Sequence, residues 1–425
     1  MSVAQETALR QPGTLPAGAA TIALLTALAA VGQFASNLYT PALPFVAQSL
    51  GVETSAAQLT LAIFMACFAF AQLVHGPLAD RFGRRPVLVW SFALFLLGTA
   101  LCALAPSLTM LLAARAVQAV GAAGALVVSR AATRDSFEGA ELSRAIATIS
   151  IAFAIVPAVT PLAGGLIQQV SGWRMIFWIT LILGFGLALI ALRRLPETLR
   201  TPIPALNTRE ILAGYGAVVC DRIALVFCLT IGLVFGALAA FFAGSPELFI
   251  TQLGISPVEY GLYPPVAVIG FVIGGLITRR MAGSVAPQRA AALGLAIMGV
   301  SLFAMLLGPV FGLVHKFWFA ATMAANVTGF GIFIPIAIAQ VLAQFPDRAG
   351  TAAAMQGFTQ MIGGALGTVA VSSLQGALPI LAMPLVMVIC VVAASGLFAY
   401  AAATESWSDA PTPDEEVGAA RRRLE

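Results

Sequence analysis

Long apolar segments separated by short polar connections run along almost the whole chain. A membrane-spanning helix needs roughly 20 apolar residues, because the hydrocarbon core of a bilayer is about 30 Å thick. The chain divides into about twelve such segments, and they lack the alternating pattern of membrane barrel strands. Hydrophobic residues make up 60% of the sequence and charged residues only 9%. We therefore predict an all-α membrane protein with spans 1 to 12 at residues 20–47, 57–75, 86–106, 108–130, 144–169, 174–193, 222–250, 258–279, 289–309, 316–343, 350–374 and 379–402.

The basic residues fix the predicted orientation of these spans. Lys and Arg close to a span stay on the cytoplasmic side of the membrane. With a cytoplasmic N-terminus, all 22 basic residues fall on that side except Arg115, Arg174 and Lys316. We therefore expect both termini to be cytoplasmic, and the first residues lack the pattern of a cleaved signal peptide. The net charge of +4 follows from this topology, so we expect no nucleic-acid partner.

A weak internal repeat divides the chain into two similar parts. GPLADRFGRRP, between spans 2 and 3, has a degenerate counterpart in GGLITRRMAGSVAPQR, between spans 8 and 9. TRDSFEGAELSRA, before span 5, corresponds in the same way to FPDRAGTAAAMQG, before span 11. Two six-helix halves with a substrate site between them are typical of secondary transporters. The predicted division is a cytoplasmic tail at 1–19, an N-terminal half at 20–193, a cytoplasmic linker at 194–215, a C-terminal half at 216–402 and a second cytoplasmic tail at 403–425.

Several motifs resemble those of a known family. GPLADRFGRRP is similar to the loop between spans 2 and 3 of the major facilitator superfamily, and further matches are LYTPALP, RAVQAVGAAGALVVSRAATRD, VPAVTPLAGGLI, SPELFITQLGISPVEYGL and AGTAAAMQGF. Together they resemble the bicyclomycin and chloramphenicol resistance (Bcr/CflA) branch of the drug:proton antiporters. The resemblance implies twelve transmembrane helices in two pseudo-symmetric six-helix halves (the major facilitator fold), in the inner membrane of a bacterium. It also implies a monomer that contacts membrane lipids, needs no cofactor or metal, and exports lipophilic antimicrobials by alternating access, in exchange for protons.

The loop between spans 2 and 3 supplies a first group of candidate residues. The resemblance places Asp80 at the start of span 11, where a carboxylate near a helix N-terminus gains roughly 0.3–1 kcal/mol. Glycines would permit close backbone approach, and the arginine forks can bind carboxylates or lipid phosphates. We expect a latch that closes the cytoplasmic side, although arginines that only anchor the topology are an alternative. The predicted latch residues are Gly76, Asp80, Arg81, Gly83, Arg84 and Arg85.

Span 5 carries a second candidate motif, VPAVTPLAGGLI. Pro157 and Pro161 each remove a backbone donor, while Gly164 and Gly165 let another helix approach closely. The resemblance associates this string with exporters, in which it shapes the interface between the halves. We expect span 8 to be the partner through its glycines, with ordinary small-residue packing as the alternative. These partner glycines are Gly270, Gly274 and Gly275.

An arginine lies within span 4. Insertion of such a charge costs roughly 2.5–3.5 kcal/mol unless the side chain snorkels to the surface or faces a polar cavity. Arg115 lies near the outer end of the span, so snorkelling is an open alternative, and Gln118 shares its helix face. The resemblance places Arg115 against span 1 and gives it a part in proton coupling.

Span 1 departs from the family pattern at the position expected to carry protons. Gln33 and Asn37 share a helix face, and the branch often has aspartate where this chain has Asn37. Because an amide cannot take up a proton, Asn37 is either a natural variant with an uncharged span 1 or an engineered mimic of the protonated state. The carboxylate best placed as a substitute is Glu247, beside Pro246 in span 7. An outer-surface position for Glu247 is the alternative.

Further polar residues lie among Phe and Met side chains in the spans. An apolar, aromatic-rich cavity with few fixed charges suits varied lipophilic substrates, because buried area supplies the affinity. The candidate lining residues are Tyr39, Gln118, Asn326, Gln340, Gln356 and Gln360.

Other function classes fit the sequence less well. A membrane enzyme would need a cluster of nucleophile, base or metal ligands within the spans, and a channel would be expected to assemble a pore by oligomerisation. Two alternatives within transport stay open. One is an exporter of an endogenous metabolite such as a sugar or amino acid, and the other is an uncoupled form in which Asn37 replaces the coupling carboxylate.

Overall fold

Helices account for nearly all the structure of the chain. The computed structural model describes residues 18–199, 207–345 and 348–404, and no strand occurs among them. Its long helices are α1 (Ala19–Leu50), α2 (Thr54–Phe82), α3 (Arg84–Leu104), α4 (Leu108–Ser136), α5 (Gly139–Ser171), α6 (Trp173–Arg194), α7 (Arg222–Gln252), α8 (Pro257–Met281), α9 (Pro287–Val310), α10 (Lys316–Ala343), α11 (Ala349–Gln375) and α12 (Ala382–Thr404). A shorter helix, Thr208–Cys220, precedes α7 and is called the linker helix. The predicted tails lie mostly outside the described residues.

Ten of these helices are, within the described residues, long and apolar enough to cross a membrane. The other two, α5 and α11, are 33 and 27 residues long. Each packs against helices of both halves, α5 against α1 and α8, and α11 against α7 and α2. Helices enclosed in this way carry polar residues more readily than helices that face lipid. The polar character of α11, with its Gln and Thr side chains, agrees with this position.

The helix contacts repeat with a shift of six helices. In the first half α1 packs on α5, α2 on α4, and α3 on α4 and α6, while in the second half α7 packs on α11, α8 on α10, and α9 on α10 and α12. The main contacts between the halves are α2 with α11 and α5 with α8. A shift of six helices turns each of these two contacts into the other. The prediction of twelve membrane helices in two pseudo-symmetric six-helix halves is confirmed.

Prolines interrupt several helices at defined points. A 3-10 turn, Thr40–Ala42, breaks α1, and a π-helical segment, Glu247–Gln252, ends α7 directly after Pro246. Pro77 lies inside α2. Because proline cannot donate a backbone hydrogen bond, each break frees a carbonyl that needs another donor.

We call the end of the bundle that holds the linker helix the linker face, and the opposite end the far face.

Glycines set the spacing of α7 and α11 in the second half. A Cβ atom at Gly363 would collide with the backbone of Gly232, and one at Gly367 would collide with the backbone of Gly236. Small residues permit this close approach, which supplies van der Waals packing between membrane helices. The α7–α11 pair is therefore fixed by backbone contact.

We expect Gly363→Ala to destabilise the protein, because the added methyl group has no room beside Gly232. Overpacking of this kind typically costs about 1–3 kcal/mol. Gly275→Ala is the matched control, since a Cβ atom there meets nothing within 4 Å. Thermal unfolding in detergent should show a lower midpoint for Gly363→Ala and an unchanged midpoint for Gly275→Ala. Equal midpoints would contradict this account of the α7–α11 contact.

Candidate functional site

Asn37 is buried in α1, one helical turn from Gln33. The Asn37 side-chain nitrogen donates to the Gln33 side-chain oxygen at 3.0 Å and to the Gln33 carbonyl at 2.8 Å. The Asn37 amide therefore donates to Gln33 within one helix, and the two side chains lie on the same face as their spacing predicts. An aspartate at position 37 would lack this donor, so the amide suits the local geometry.

Arg115 is fully buried in α4 at the centre of a polar and aromatic cluster. Its Nη1 donates to Gln118 Oε1 at 2.6 Å, and its Nε donates to the carbonyl of Thr60 in α2 at 3.4 Å. The guanidinium lies over the rings of Phe64, at 4.3 Å, and Tyr39, at 5.1 Å from the ring centroids. The snorkelling alternative is therefore wrong.

The Arg115 charge is held by rings, an amide and a carbonyl. Cation–π contacts become stronger when they are removed from water, and here two rings take part. Tyr39 of α1 also accepts a hydrogen bond from Thr60 at 3.2 Å, so α1, α2 and α4 meet at this point. One guanidinium nitrogen, Nη2, has no hydrogen-bond partner in the structure. Phe64 and Thr60 were not predicted, because their contact depends on how α2 packs against α4.

Gln118 and Tyr39 belong to this cluster. Both side chains are fully buried, and Gln118 also donates to the Thr99 hydroxyl of α3 at 2.9 Å. The prediction that they line an open cavity is wrong for this conformation, because neighbouring side chains cover them.

Glu247 lies buried at the far-face end of α7, with 8% of its surface exposed. Its Oε1 accepts a hydrogen bond from Gln252 at 3.1 Å, while its Oε2 has no partner in the structure. Glu247 is therefore buried within the protein, at the end of its helix.

Next to Glu247 the two halves are joined by a hydrogen bond. The N–H of Glu247 donates to the carbonyl of Gly244, whereas a regular α-helix would direct it to Ala243. Gln58 of α2 donates instead to the Ala243 carbonyl, at 3.0 Å. The irregular end of α7 thus presents a backbone acceptor to the other half, one turn from a buried carboxylate.

The α5 motif makes the close approaches expected of its glycines. A Cβ atom at Gly164 would collide with the carbonyl of Leu38 in α1. One at Gly165 would collide with the carbonyl of Pro257 at the start of α8, in the other half. Both prolines of the motif, Pro157 and Pro161, lie inside the helix.

The predicted partner glycines of α8 serve a different contact. Cβ atoms at Gly270 and Gly274 would collide with the carbonyls of Ala324 and Thr328 in α10, and one at Gly275 would meet open space. The prediction that these three glycines face α5 is therefore wrong. Helix α8 turns Gly270 and Gly274 toward its own half, and the α5 contact lies nearer the start of α8, at Pro257.

At the linker face, Arg84 joins the ends of three helices. It forms ion pairs with Asp80, at the end of α2, and with Asp135, at the end of α4, the latter at 3.0 Å. Thr198, which follows α6, also donates to Asp135, at 3.1 Å. These contacts lie within the first half.

Glu197 completes this network by capping α3. Its carboxylate accepts hydrogen bonds from the backbone N–H groups of Arg84 at 2.8 Å and Arg85 at 3.1 Å. A carboxylate at a helix N-terminus satisfies free donors and complements the helix dipole. Gly83 has φ +98°, and a Cβ atom there would collide with Glu197. The backbone conformation requires glycine at position 83, and a larger residue would also displace the Glu197 carboxylate from its capping position.

The surroundings of Gly76, Arg81 and the start of α11 complete this description. A Cβ atom at Gly76 would meet nothing within 4 Å, so the predicted close backbone approach there is wrong. Arg134 of α4 lies at the start of α11, with Nη1 3.3 Å from the position of a Cβ atom on Gly350. Arg81 stacks on the ring of Phe82 at 5.3 Å.

The polar candidates of the second half lie on α10 and α11. Gln356 Nε2 donates to Gln360 Oε1 at 2.9 Å. Asn326 is buried, and its side-chain oxygen has no partner in the structure.

Two cavities of the structure lie away from these residues. One, of about 850 Å³, opens between α9 and α12 beside Val300 and Phe303, and the other, of about 450 Å³, lies at the far face beside Phe45 and Ile250. Within the described ranges, no group of His, Cys, Asp and Glu side chains could hold a metal ion.

Comparison with known proteins gives consistent matches. A family model described as the Major Facilitator Superfamily matches residues 23–368. The uncharacterized MFS-type transporter YdgK of Bacillus subtilis (strain 168) is 30% identical over 387 residues, 89% of this chain and 93% of that protein. Multidrug resistance protein D of Escherichia coli (strain K12) is 30% identical over 356 residues, 80% of this chain and 85% of that protein. The chloramphenicol resistance protein of Pseudomonas aeruginosa is 30% identical over 349 residues, 79% of this chain and 80% of that protein.

Solved structures show the same fold. A bacterial homologue of the human lysosomal transporter Spinster, in an inward-facing and occupied conformation, superposes with a TM-score of 0.70. The two share 18% identity over 92% of this chain and 98% of that chain.

Proposed function

The chain belongs to the major facilitator superfamily of membrane transporters, and we propose that it exports lipophilic antimicrobials by alternating access, in exchange for protons. The family assignment confirms the resemblance inferred from the motifs and makes the protein a transporter, not an enzyme. The bacterial relatives favour the inner membrane. The positive-inside rule supports placing the linker face and both termini in the cytoplasm. We also propose that the protein works as a monomer in contact with lipid.

The observation that carries drug export is the alignment of most of the chain, in both halves, with relatives named for resistance to multiple drugs and to chloramphenicol. The distribution of charge supports a lipophilic substrate. Arg84, Arg115 and Glu247 are the buried charged side chains among the described residues. Arg84 and Arg115 are bound to groups of their own half. A strongly ionic metabolite would need unsatisfied countercharges, so export of an amino acid fits the chain less well.

Expression of the protein in a bacterium that lacks its main exporters should raise the inhibitory concentration of one or more lipophilic antimicrobials several-fold. The same cells should accumulate less of that compound. A panel that includes chloramphenicol, with the empty vector as the control, measures both quantities. If no compound in the panel changes in either assay, drug export is not the function.

We propose that the linker-face network makes the first half move as one rigid unit. Arg84 binds the ends of α2 and α4, and Glu197 holds the start of α3 to the segment after α6. Rigid-body rocking of two halves requires that each half keep its internal arrangement. The predicted contact of Asp80 with the start of α11 remains part of this proposal, as a latch that closes the cytoplasmic side.

Asp80→Asn is expected to weaken transport while leaving membrane insertion intact, because it removes one ion pair of Arg84 and leaves the other in place. The measurement is drug accumulation at matched expression. Glu138→Gln is the control, since Glu138 is an exposed carboxylate at the same face and makes no side-chain cap bond to α5. Unchanged transport in Asp80→Asn would mean that the network only anchors the topology.

We further propose that Glu247 carries the coupling proton. Asn37 cannot titrate, and the carboxylates of the linker-face network lie at the membrane surface. Glu247 is buried, has one oxygen free to receive a proton, and lies one turn from the hydrogen bond that joins α2 to α7. A change of its charge would therefore act directly on the contact between the halves.

Proteoliposome transport with and without an imposed pH gradient should show that Glu247→Gln abolishes the gradient-driven component. Glu53→Gln, an exposed far-face carboxylate, serves as the control and should keep that component. Gradient-driven transport that survives in Glu247→Gln would contradict the assignment. Coupling that appears only in Asn37→Asp would instead identify this chain as an uncoupled form of a proton antiporter.

A further inference from the structure

The linker helix is packed onto the second half of the transporter. Its N-terminus is capped by Asn207, whose side-chain oxygen accepts the N–H groups of Arg209 and Glu210. One side of the helix buries Gly214 and Val218. Gly214 faces Thr351 in the first turn of α11, and the helix also contacts α7. The helix is thus attached to α7 and α11.

One side chain of this helix crosses to the first half. The Tyr215 hydroxyl donates a hydrogen bond to the carbonyl of Leu73 in α2, at 2.9 Å, between residues 142 apart in sequence. Helix α2 is also the main partner of α11 across the divide between the halves. The bond therefore lies at the junction of the two bodies that move relative to each other in alternating access.

Pro77 explains why the Leu73 carbonyl is available. In a regular α-helix this carbonyl accepts the N–H of the residue four positions later, which here is Pro77. Proline has no N–H to donate. A buried helix carbonyl that lacks this N–H needs a donor from elsewhere, and the Tyr215 hydroxyl supplies it.

The hydroxyl keeps its proton over the physiological range. Burial, and secondly the negative charge of Asp80, raise the pKa of Tyr215. Loss of the proton would remove the only donor on the side chain, so the raised pKa of Tyr215 favours the hydrogen-bonded state. The influence of Asp80 also places the Arg84 network next to this contact.

We propose that Tyr215 is a positioning residue for transport. By donating to the carbonyl that Pro77 leaves free, it holds α2 of the first half to the linker helix of the second half. The bond thereby stabilises the conformation in which the linker-face ends of α2 and α11 lie together. Breaking this one bond is then part of each opening of that face. The inference rests on the proposed alternating-access function but not on the substrate or on proton coupling.

The test measures the separation of the two halves without any substrate. Spin labels are placed on Cys220, which is exposed, and on Phe82→Cys, whose native side chain is 55% exposed at the end of α2. The other cysteines are replaced by alanine. Pulsed electron–electron resonance in lipid nanodiscs then gives the populations of short and long distances. Tyr215→Phe keeps the ring and removes the hydroxyl, so the ratio of long to short distances should rise about two- to twelve-fold, the worth of one hydrogen bond.

A second variant isolates the role of the freed carbonyl. Pro77→Ala restores the N–H that Leu73 lacks, so Tyr215→Phe should change the populations far less in that background than in the parent. Tyr263→Phe is the control, because its hydroxyl bonds Glu259 on the same helix, and it should leave the distances unchanged. Thermal unfolding verifies that each variant is folded. The proposal is overturned if Tyr215→Phe does not shift the populations, or if it shifts them equally with and without Pro77. Either result would leave drug export itself unaffected, since export is measured separately by accumulation.

Discussion

Within a membrane every backbone N–H and C=O must find a partner inside the protein, and this requirement governs the arrangement described here. Helices meet it by themselves wherever they are regular. At Pro77 in α2 and after Pro246 in α7 they are not regular. The carbonyls left without a helical donor there, those of Leu73 and Ala243, accept hydrogen bonds from Tyr215 and Gln58. Both donors come from the opposite half. Each of the two helix breaks therefore provides an acceptor for a hydrogen bond between the halves, one toward the linker face and one toward the far face.

Buried charge is handled in two different ways in this bundle. Arg115 is bound by Gln118, a carbonyl and two rings, all in the first half. These contacts offset part of the cost of burying the charge, and all of them lie within one half. Glu247 has one oxygen without a partner and lies beside a bond between halves. Of the two, only Glu247 lies next to a hydrogen bond between the halves, which is why we propose it as the coupling residue.

The length of the apolar segments was enough to predict the twelve helices. Local spacing was enough to predict the pairs Gln33–Asn37 and Arg115–Gln118, because residues three or four apart share a helix face. It was not enough for contacts between distant segments. Glu197 caps a helix that begins 113 residues earlier, and no periodic pattern links those positions. The glycines of α8 were assigned to the wrong neighbour for the same reason, since the sequence shows which face is small but not which helix lies against it. Pro77 was visible in the sequence, but Tyr215 as its partner was not.

The two contacts between the halves differ in kind. Helix α5 meets α8 through glycine against backbone, at Gly165 and Pro257 and again at Gly261 and Leu162. As between α7 and α11, this close approach sets the spacing of the two helices. Helix α2 meets α11 and the linker helix through directional bonds, from Ser372 to the Ser55 carbonyl at 2.6 Å and from Tyr215 to the Leu73 carbonyl. A directional bond is either made or broken. In the alternating access that we propose, the α2 side therefore has two distinct states, one with these bonds made and one with them broken.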